Sequence, residues 1–383
     1  MKTLLTNARI VLADCVLENA SLLLEDGVIA AVNPETAPDA RVENLSGKTL
    51  LPGMIDLHCD ALEKEVEPRP NVHFPLDFAC AQADKRNAAA GITTVFHALS
   101  FANEELGVRN NAFAASIARA VHDWMPHALV DNRVHCRYEI TDPTGFPVLL
   151  DLLEKQEAHL ISFMDHTPGQ GQFKDVAAYR DYIARTYQKS EAELDALLQR
   201  KQDEAAGAID RIQTLVAAAH AQGIATASHD DDTPERVATM TALGVNISEF
   251  PINLATAQAA CDKGMHTIFG APNILRGKSQ AGSMRAVDAI HAGVATCLCA
   301  DYAPAALIVA VFKLVEDAVL TLPQAVQLVA NNPAKAAGLH DRGEIAVGKR
   351  ADLIAVSHLG ALPQVADVWV QGAAAYRVQY DHT

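Results

Sequence analysis

His58 and Asp60 stand two residues apart at the end of a short apolar run, Met54, Ile55 and Leu57, within the stretch LPGMIDLHCDALEKE at positions 51–65. In an extended chain, residues i and i+2 point to the same side. An imidazole and a carboxylate therefore project together, a spacing suited to a metal ion. Cys59 faces the other way on this reading and is not counted as a ligand. A two-residue motif is weak by itself, but acids and imidazoles recur in comparable places. His97, His135, Arg137, Glu139, Asp165, His166, His229, Glu249 and Asp301 all stand at or near the end of an apolar run. Ionisable groups gathered in one concavity are costly unless a metal, partner or substrate compensates them. The acid run Asp230, Asp231 and Asp232 after His229 reads as a helix start, where carboxylates complement the helix dipole.

The elements that must position these groups follow from the pattern around them. Short apolar runs lie at 54–58, 93–99, 134–140, 160–164, 224–228, 245–250, 266–270 and 295–300. They alternate with helix-favouring stretches at 83–90, 110–124, 176–221, 234–243, 254–263, 284–291 and 305–318. Strand then helix, repeated eight times over residues 52–340, predicts an α/β protein of the (β/α)8 TIM-like barrel class. A doubly wound sheet would ordinarily carry a glycine-rich turn after its first strand, and none is present. In a barrel the chemistry comes from the C-terminal ends of the strands, which is where the acids and imidazoles fall. The polar stretch 175–204 reads as an excursion able to cover the barrel mouth. Residues 1–51 and 341–383 have a different character, with short strands and turns and no long helix. Glu25-Asp26-Gly27 between two apolar runs is a hairpin signal. The two ends are expected to pair into one small β-sandwich domain beside the barrel domain.

Bulk composition narrows the function. The 383 residues carry a net charge of −16 and a pI near 5.3. A general nucleic-acid surface needs a basic face, so that class is excluded. A small anionic, phosphorylated substrate remains open where cations cluster locally. Lys64, Arg69, Arg137, Arg276 and Lys278 lie at or just beyond strand ends and are the candidate substrate-binding cations. The seven cysteines are scattered and odd in number, with no CxxC pair, which fits a reducing, cytoplasmic setting. Asn7, Arg9 and Asp14 interrupt the N-terminal apolar residues, so no signal peptide is expected. No uncharged apolar run approaches the roughly 20 residues of a membrane helix.

LPGMIDLHCD, the imidazole ending the fifth run, Asp301 ending the eighth and the closing VGKRADLIAV together resemble the amidohydrolase superfamily. More narrowly, DLHCDALEKEVEPRP, AAGITTVFHALS, LISFMDHTPGQGQF, ASHDDDTPE, FGAPNILRGKS, ADYAPAALI and NNPAKAAGLHDRGEI are similar to the PhnM-type α-D-ribose 1-methylphosphonate 5-triphosphate diphosphatase family of the carbon–phosphorus lyase pathway. That likeness spans nearly the whole chain, and its MDHTPGQ and ASHDD stretches discriminate best. Two departures from the wider superfamily stand out: Asp60 where its first-strand HxH motif has a second histidine, and Glu249 where its sixth strand has an imidazole. No lysine sits cleanly at a strand end to be carbamylated, so Glu139 or Asp165 would supply a bridging carboxylate.

The resemblance implies a metal-dependent hydrolase that releases pyrophosphate from a ribosyl triphosphate. His58, Asp60, Glu139, His166, His229 and Asp301 are the expected metal ligands, for one or two divalent ions, Zn2+ ahead of Mn2+. Asp301, His229 and Asp165 are the candidate catalytic groups, with Asp301 orienting the attacking water. A homo-oligomer is expected on the same resemblance. The alternative reading is an amidohydrolase acting on a cyclic amide, an N-acyl amino acid or a deaminable ring. It would show fewer cations at the mouth.

Overall fold

The computed structural model describes residues 2–103, 110–165, 207–279 and 283–379. The chain opens with β1 (Lys2–Val11), β2 (Val16–Glu25), β3 (Val28–Val32), β4 (Arg41–Asn44) and β5 (Thr49–Pro52). The turn between β2 and β3 places Asp26 at φ 48° and Gly27 at φ 86°. Two left-handed central residues match the twist of a hairpin, so the Asp-Gly pair is there for its backbone.

The eight barrel strands follow. They are β6 (Met54–Cys59), β7 (Ile92–Phe101), β8 (Asp131–Glu139), β9 (Leu160–Met164), β10 (Ala225–His229), β11 (Ile247–Glu249), β12 (His266–Gly270) and β13 (Cys297–Cys299). Each pairs in parallel with the next. The last and first strands meet at a bridge between Cys59 and Asp301. There the Asp301 amide donates to the His58 carbonyl at 2.9 Å, and the Asp60 amide donates to the Asp301 carbonyl at 2.9 Å. A further clasp lies deeper, where Oδ1 of buried Asp56 accepts from the amides of His58 at 3.1 Å and Ala300 at 3.0 Å.

Leu57, Phe96, Leu160, Ala227, Ile247, Ile268, Cys297 and Cys299 pack together as one buried cluster. Cys297 and Cys299 are packed strand thiols, and burial pushes Cys297 up to about 12. Helices such as Leu76–Ala90, Asn111–Trp124, Ala208–His220 and Ala306–Glu316 carry buried apolar faces. The sequence pattern named no helix between the third and fourth barrel strands, yet Gly145–Glu154 forms one. Gly145 and Pro147 read as breakers, but in a first turn the missing amide of proline costs nothing.

After the barrel the chain returns through β14 (Leu353–Leu359), β15 (Leu362–Val370) and β16 (Ala373–Arg377). The run 345–355 reads as strand-like in sequence, but its strand begins only at Leu353. β14 pairs antiparallel with β5, so both chain ends share one mixed eight-stranded sheet. Leu5, Ile10, Leu22, Leu50, Leu353 and Trp369 form its buried core. Gly53 joins that sheet to β6, and a Cβ there would lie 2.1 Å from Thr93 Oγ1. No side chain fits at this crossing. Among the described residues no helix is long and apolar enough to cross a membrane.

Candidate metal centre

His229 ends β10 and Glu249 ends β11, and the two are register partners in a parallel pair. Register partners in a sheet project to the same side. The residue after each strand then adopts a left-handed backbone: Asp230 at φ 55° and Phe250 at φ 54°, with Asp301 after β13 also at φ 55°. Such conformations cost about 1–3 kcal/mol for non-glycine residues and persist where the surroundings fix them. Here the amides of Asp230 and Phe250 donate to Glu249 and Ile268 carbonyls at 2.9 Å, each extending the ladder by one step while the chain turns away. The Phe250 ring is thereby set edge-on to the imidazoles of His58 and His229, at centroid distances of 5.0 and 5.3 Å.

His58, His229 and Glu249 each offer a ligand atom, and these atoms lie within 4.8 Å of one another. His58 Nδ1 is 3.1 Å from Glu249 Oε1. Both ring nitrogens of His229, and Oε2 of Glu249, are buried and make no hydrogen bond among the described residues. Asp230 Oδ2 lies 3.3 Å from His229 Nδ1. Buried polar atoms without hydrogen bonds need a physical explanation, and two imidazoles facing a carboxylate are a nitrogen and oxygen donor set suited to a divalent metal.

The electrostatics agree. Burial favours a neutral ring at His58, but the Glu249 and Asp60 carboxylates outweigh it and raise the group to about 10. Burial works equally against the charge on Glu249, yet the imidazoles of His135, His58 and His229 hold it down to about 2. The pair is thus an ion pair, and a divalent cation would take over the role of its proton. His135, wholly buried alongside, is driven down to about 3 by burial. It spans Leu57 O at 3.0 Å and Ser162 Oγ at 2.7 Å.

The other sequence candidates are distributed as follows. Asp60 Oδ1 lies 3.4 Å from His58 Nε2 and accepts from Arg137 Nη1 at 3.0 Å. Asp301 lines the same cleft, and burial, then the Asp60 charge, raises its carboxyl. Glu139 stands outside the three-residue cluster; its Oε1 accepts from the hydroxyl of Thr141 at 2.7 Å. Asp165 is engaged by Arg236 Nη1 at 3.0 Å. His97 is 2.8 Å from Asn132 Oδ1, a packed polar core residue. His166 and the stretch 175–204 lie outside the described residues.

A cleft of about 340 Å³ opens over the cluster. Its walls include Arg137, Arg276 and Lys278, together with Asp301 and Tyr302. Lys64 and Arg69 are not among its described lining. Lys64 is exposed on the outer side of the helix Ala61–Val66, and Arg69 sits in an exposed bend bridged to Val72.

Residues 49–375 match the amidohydrolase family. The chain belongs to that family. This amidohydrolase is 35% identical, over 97% of its length and 100% of the relative's, to an α-D-ribose 1-methylphosphonate 5-triphosphate diphosphatase of Escherichia coli (strain K12). Its fold is similar to that of an N-acetylglucosamine-6-phosphate deacetylase from Pasteurella multocida, with a TM-score of 0.66, 14% identity and coverage of 98% and 99% of the two chains. A dihydropyrimidinase from Brevibacillus agri has a TM-score of 0.58, 14% identity and coverage of 98% and 95%.

Three residues of this amidohydrolase site carried no usable sequence signal. Phe250 is set by a left-handed backbone that an aromatic residue rarely adopts. Buried Asp231 accepts from the hydroxyls of Ser228 and Ser248, on β10 and β11, behind the His229–Glu249 pair. Arg236 lies 3.4 Å from Asp231 Oδ1 and bonds Asp165, tying β9 to β10. In sequence, Asp231 is only one member of an acid run.

Proposed function

We propose that this protein hydrolyses α-D-ribose 1-methylphosphonate 5-triphosphate to the 5-phosphate and pyrophosphate. The observation that carries the reading is the meeting of two features in one cleft. Three cations, Arg137, Arg276 and Lys278, line the same cavity as His58 and His229, the two imidazoles of the cluster completed by buried Glu249. A polyphosphate chain needs fixed cations along it, and an uncharged amide does not. The full-length likeness to the Escherichia coli diphosphatase supports the same substrate.

His58, His229 and Glu249 would hold a divalent ion, with Zn2+ favoured by the two imidazoles. When bound, such an ion lowers the pKa of water and polarises a phosphoryl oxygen. Arg137 grips the phosphoryl group nearest the cluster, and Arg276 and Lys278, which line the same cleft, orient the rest of the chain. Asp301, its carboxyl raised by burial, takes the proton of the attacking water and so acts as general base. Glu249 and His229 keep the cluster fixed through their shared register.

We also place one domain at residues 1–51 with 341–383 and the barrel at 52–340, a division supported by the separate core of the terminal sheet. A cytoplasmic homo-oligomer is part of the same reading.

The test is product identity. Purified protein supplied with Zn2+ and the ribosyl triphosphate should yield pyrophosphate and a 5-phosphate monoester by phosphorus NMR. Orthophosphate as the sole inorganic product, or turnover of N-acyl amino acids in its place, would overturn the reading.

A further inference from the structure

The first-strand carboxylate is engaged in a way the HxD spacing does not disclose. Asp60 Oδ1 receives Arg137 Nη1 at 3.0 Å, while the imidazole of His58 stands 3.4 Å from the same oxygen. Among the described residues the cluster able to hold a metal is His58, His229 and Glu249, without Asp60. Arg137 comes from β8, two strands away from β6 around the barrel. Its side chain is 9% exposed. A guanidinium is charged at any accessible pH. A permanent positive charge is therefore fixed at the rim of the metal cluster. Its field reaches both Asp301 and His135. Among the described residues the Nε–H of Arg137 is buried and makes no hydrogen bond, although the residue lines the cleft. A buried donor without an acceptor is costly, and an arginine edge is shaped to meet a phosphoryl oxygen.

We propose that Arg137 is the second cation of this centre: it ties up Asp60, keeps a second metal off that carboxylate, and offers its remaining N–H to a phosphoryl oxyanion. The inference deepens the triphosphate reading and rests on it for the substrate's chemistry. It changes the part assigned to Asp60, from metal ligand to anchor of the arginine. A divalent ion seated on Asp60 would press against a charge that cannot leave, so the protein carries one metal and one guanidinium where two metals would otherwise stand. The anion it favours is a linear polyphosphate, whose successive phosphoryl groups would meet Arg137 beside the cluster and Arg276 with Lys278, which line the same cleft.

The experiment uses the full chain and two readouts other than turnover. Chelator-stripped protein is titrated with Zn2+ by calorimetry and checked by elemental analysis. Zinc-loaded protein, freed of excess metal, is then titrated with inorganic tripolyphosphate. Wild type should bind one equivalent of Zn2+. Arg137→Met should accept a second equivalent and bind tripolyphosphate at least tenfold more weakly. Arg137→Lys, which keeps the charge but loses the fork, should stay at one equivalent and recover part of the tripolyphosphate affinity. Two equivalents in wild type would overturn the proposal, and that arm needs no variant to fold. An unchanged tripolyphosphate affinity in folded Arg137→Met would also overturn it. Because neither readout requires hydrolysis, failure of the ribosyl triphosphate as a substrate would be seen separately.

Discussion

His229 and Glu249 lie side by side as register partners on neighbouring parallel strands, 20 positions apart in the chain. That single pairing explains why an imidazole and a carboxylate face one point. It also explains the electrostatics: Glu249 is held to about 2 by the imidazoles around it although burial opposes its charge. A slip of one residue in the β10–β11 register would turn one of the two away from the cavity. Asp231, accepting from serines on both strands, sits where it resists that slip.

Removing either partner should therefore cost metal before it costs fold. Glu249→Gln keeps the shape but removes the charge, and His229→Ala removes the buried ring nitrogens that make no hydrogen bond. Each variant is expected to bind Zn2+ at least tenfold more weakly, read by calorimetry on chelator-stripped protein. Circular dichroism should report the same secondary structure as wild type. Undiminished zinc affinity in both variants would remove these residues from the centre.

Asp301 is placed differently, at the closing seam and outside the three-residue cluster. In the proposed mechanism it acts on water as a base and not as a ligand. Asp301→Asn should lower kcat by about 10²–10⁴-fold, the usual worth of general base catalysis. KM should stay within a few-fold of wild type, and zinc content should be preserved. Loss of zinc together with loss of rate would instead make Asp301 a ligand.

Much of this was legible in the chain. All eight barrel strands follow from short apolar runs, most of them with ionisable residues at or just beyond their ends, because buried parallel strands are continuous in apolar character and barrel chemistry sits at their C-terminal ends. His58, His229 and Asp301 stand out that way in the sequence, and all three line the cleft. Asp60 and Arg137 were also found, but not that they bind each other, since a contact between β6 and β8 depends on barrel curvature. Glu249 stayed an open choice among several carboxylates until the β10–β11 register put it beside His229. Lys64 and Arg69 follow a strand end closely in sequence; Lys64 is exposed on the helix that begins at Ala61, and neither is among the described lining of the cleft. Phe250 escaped notice because its role depends on a left-handed φ. The helix Gly145–Glu154 was masked by a proline in the one turn where proline is harmless.

The junction between barrel and terminal sheet is held by charge, and its stability should depend on pH. Arg342 is 6% exposed; its Nη1 donates to Asp131 Oδ2 at 2.7 Å and to Thr94 at 3.0 Å. Burial alone would raise Asp131, but the guanidiniums of Arg133 and Arg342 outweigh it and hold the carboxyl below its ordinary value. A carboxyl lowered in the folded state stabilises the fold above its unfolded pKa of about 3.9. That contribution is lost as the pH falls below this value and through the folded pKa. Asp131→Asn leaves a buried guanidinium short of one partner and should cost about 3 kcal/mol at pH 7. In urea unfolding, the gap between variant and wild type should be full above about pH 5 and close as the pH drops below about 4. A gap that stayed constant down to pH 3 would show that the Asp131 charge does not contribute.

Gly53 offers the sharpest packing test, because it separates a steric demand from a conformational one. It is not among the glycines with positive φ, so an alanine there is not strained by its backbone. The obstacle is space: the added Cβ would meet Thr93 Oγ1 at 2.1 Å and Cγ2 at 2.5 Å. Thr93 is fully buried on β7, and the Gly53 amide donates to the Asp352 carbonyl at 2.8 Å, so neither side has room to withdraw. Overpacking of this kind typically costs about 1–3 kcal/mol. Gly53→Ala should lose that much in urea unfolding, with the loss felt by barrel and terminal sheet alike because the residue joins them. Thr93→Ala removes the two closest atoms and leaves the Thr93 Cβ at 2.8 Å. The double variant should therefore be more stable than Gly53→Ala alone, with a favourable coupling of about 1 kcal/mol. Strictly additive losses would mean that the chain relieves the crossing by shifting its backbone, and that Thr93 is not what excludes a side chain from position 53.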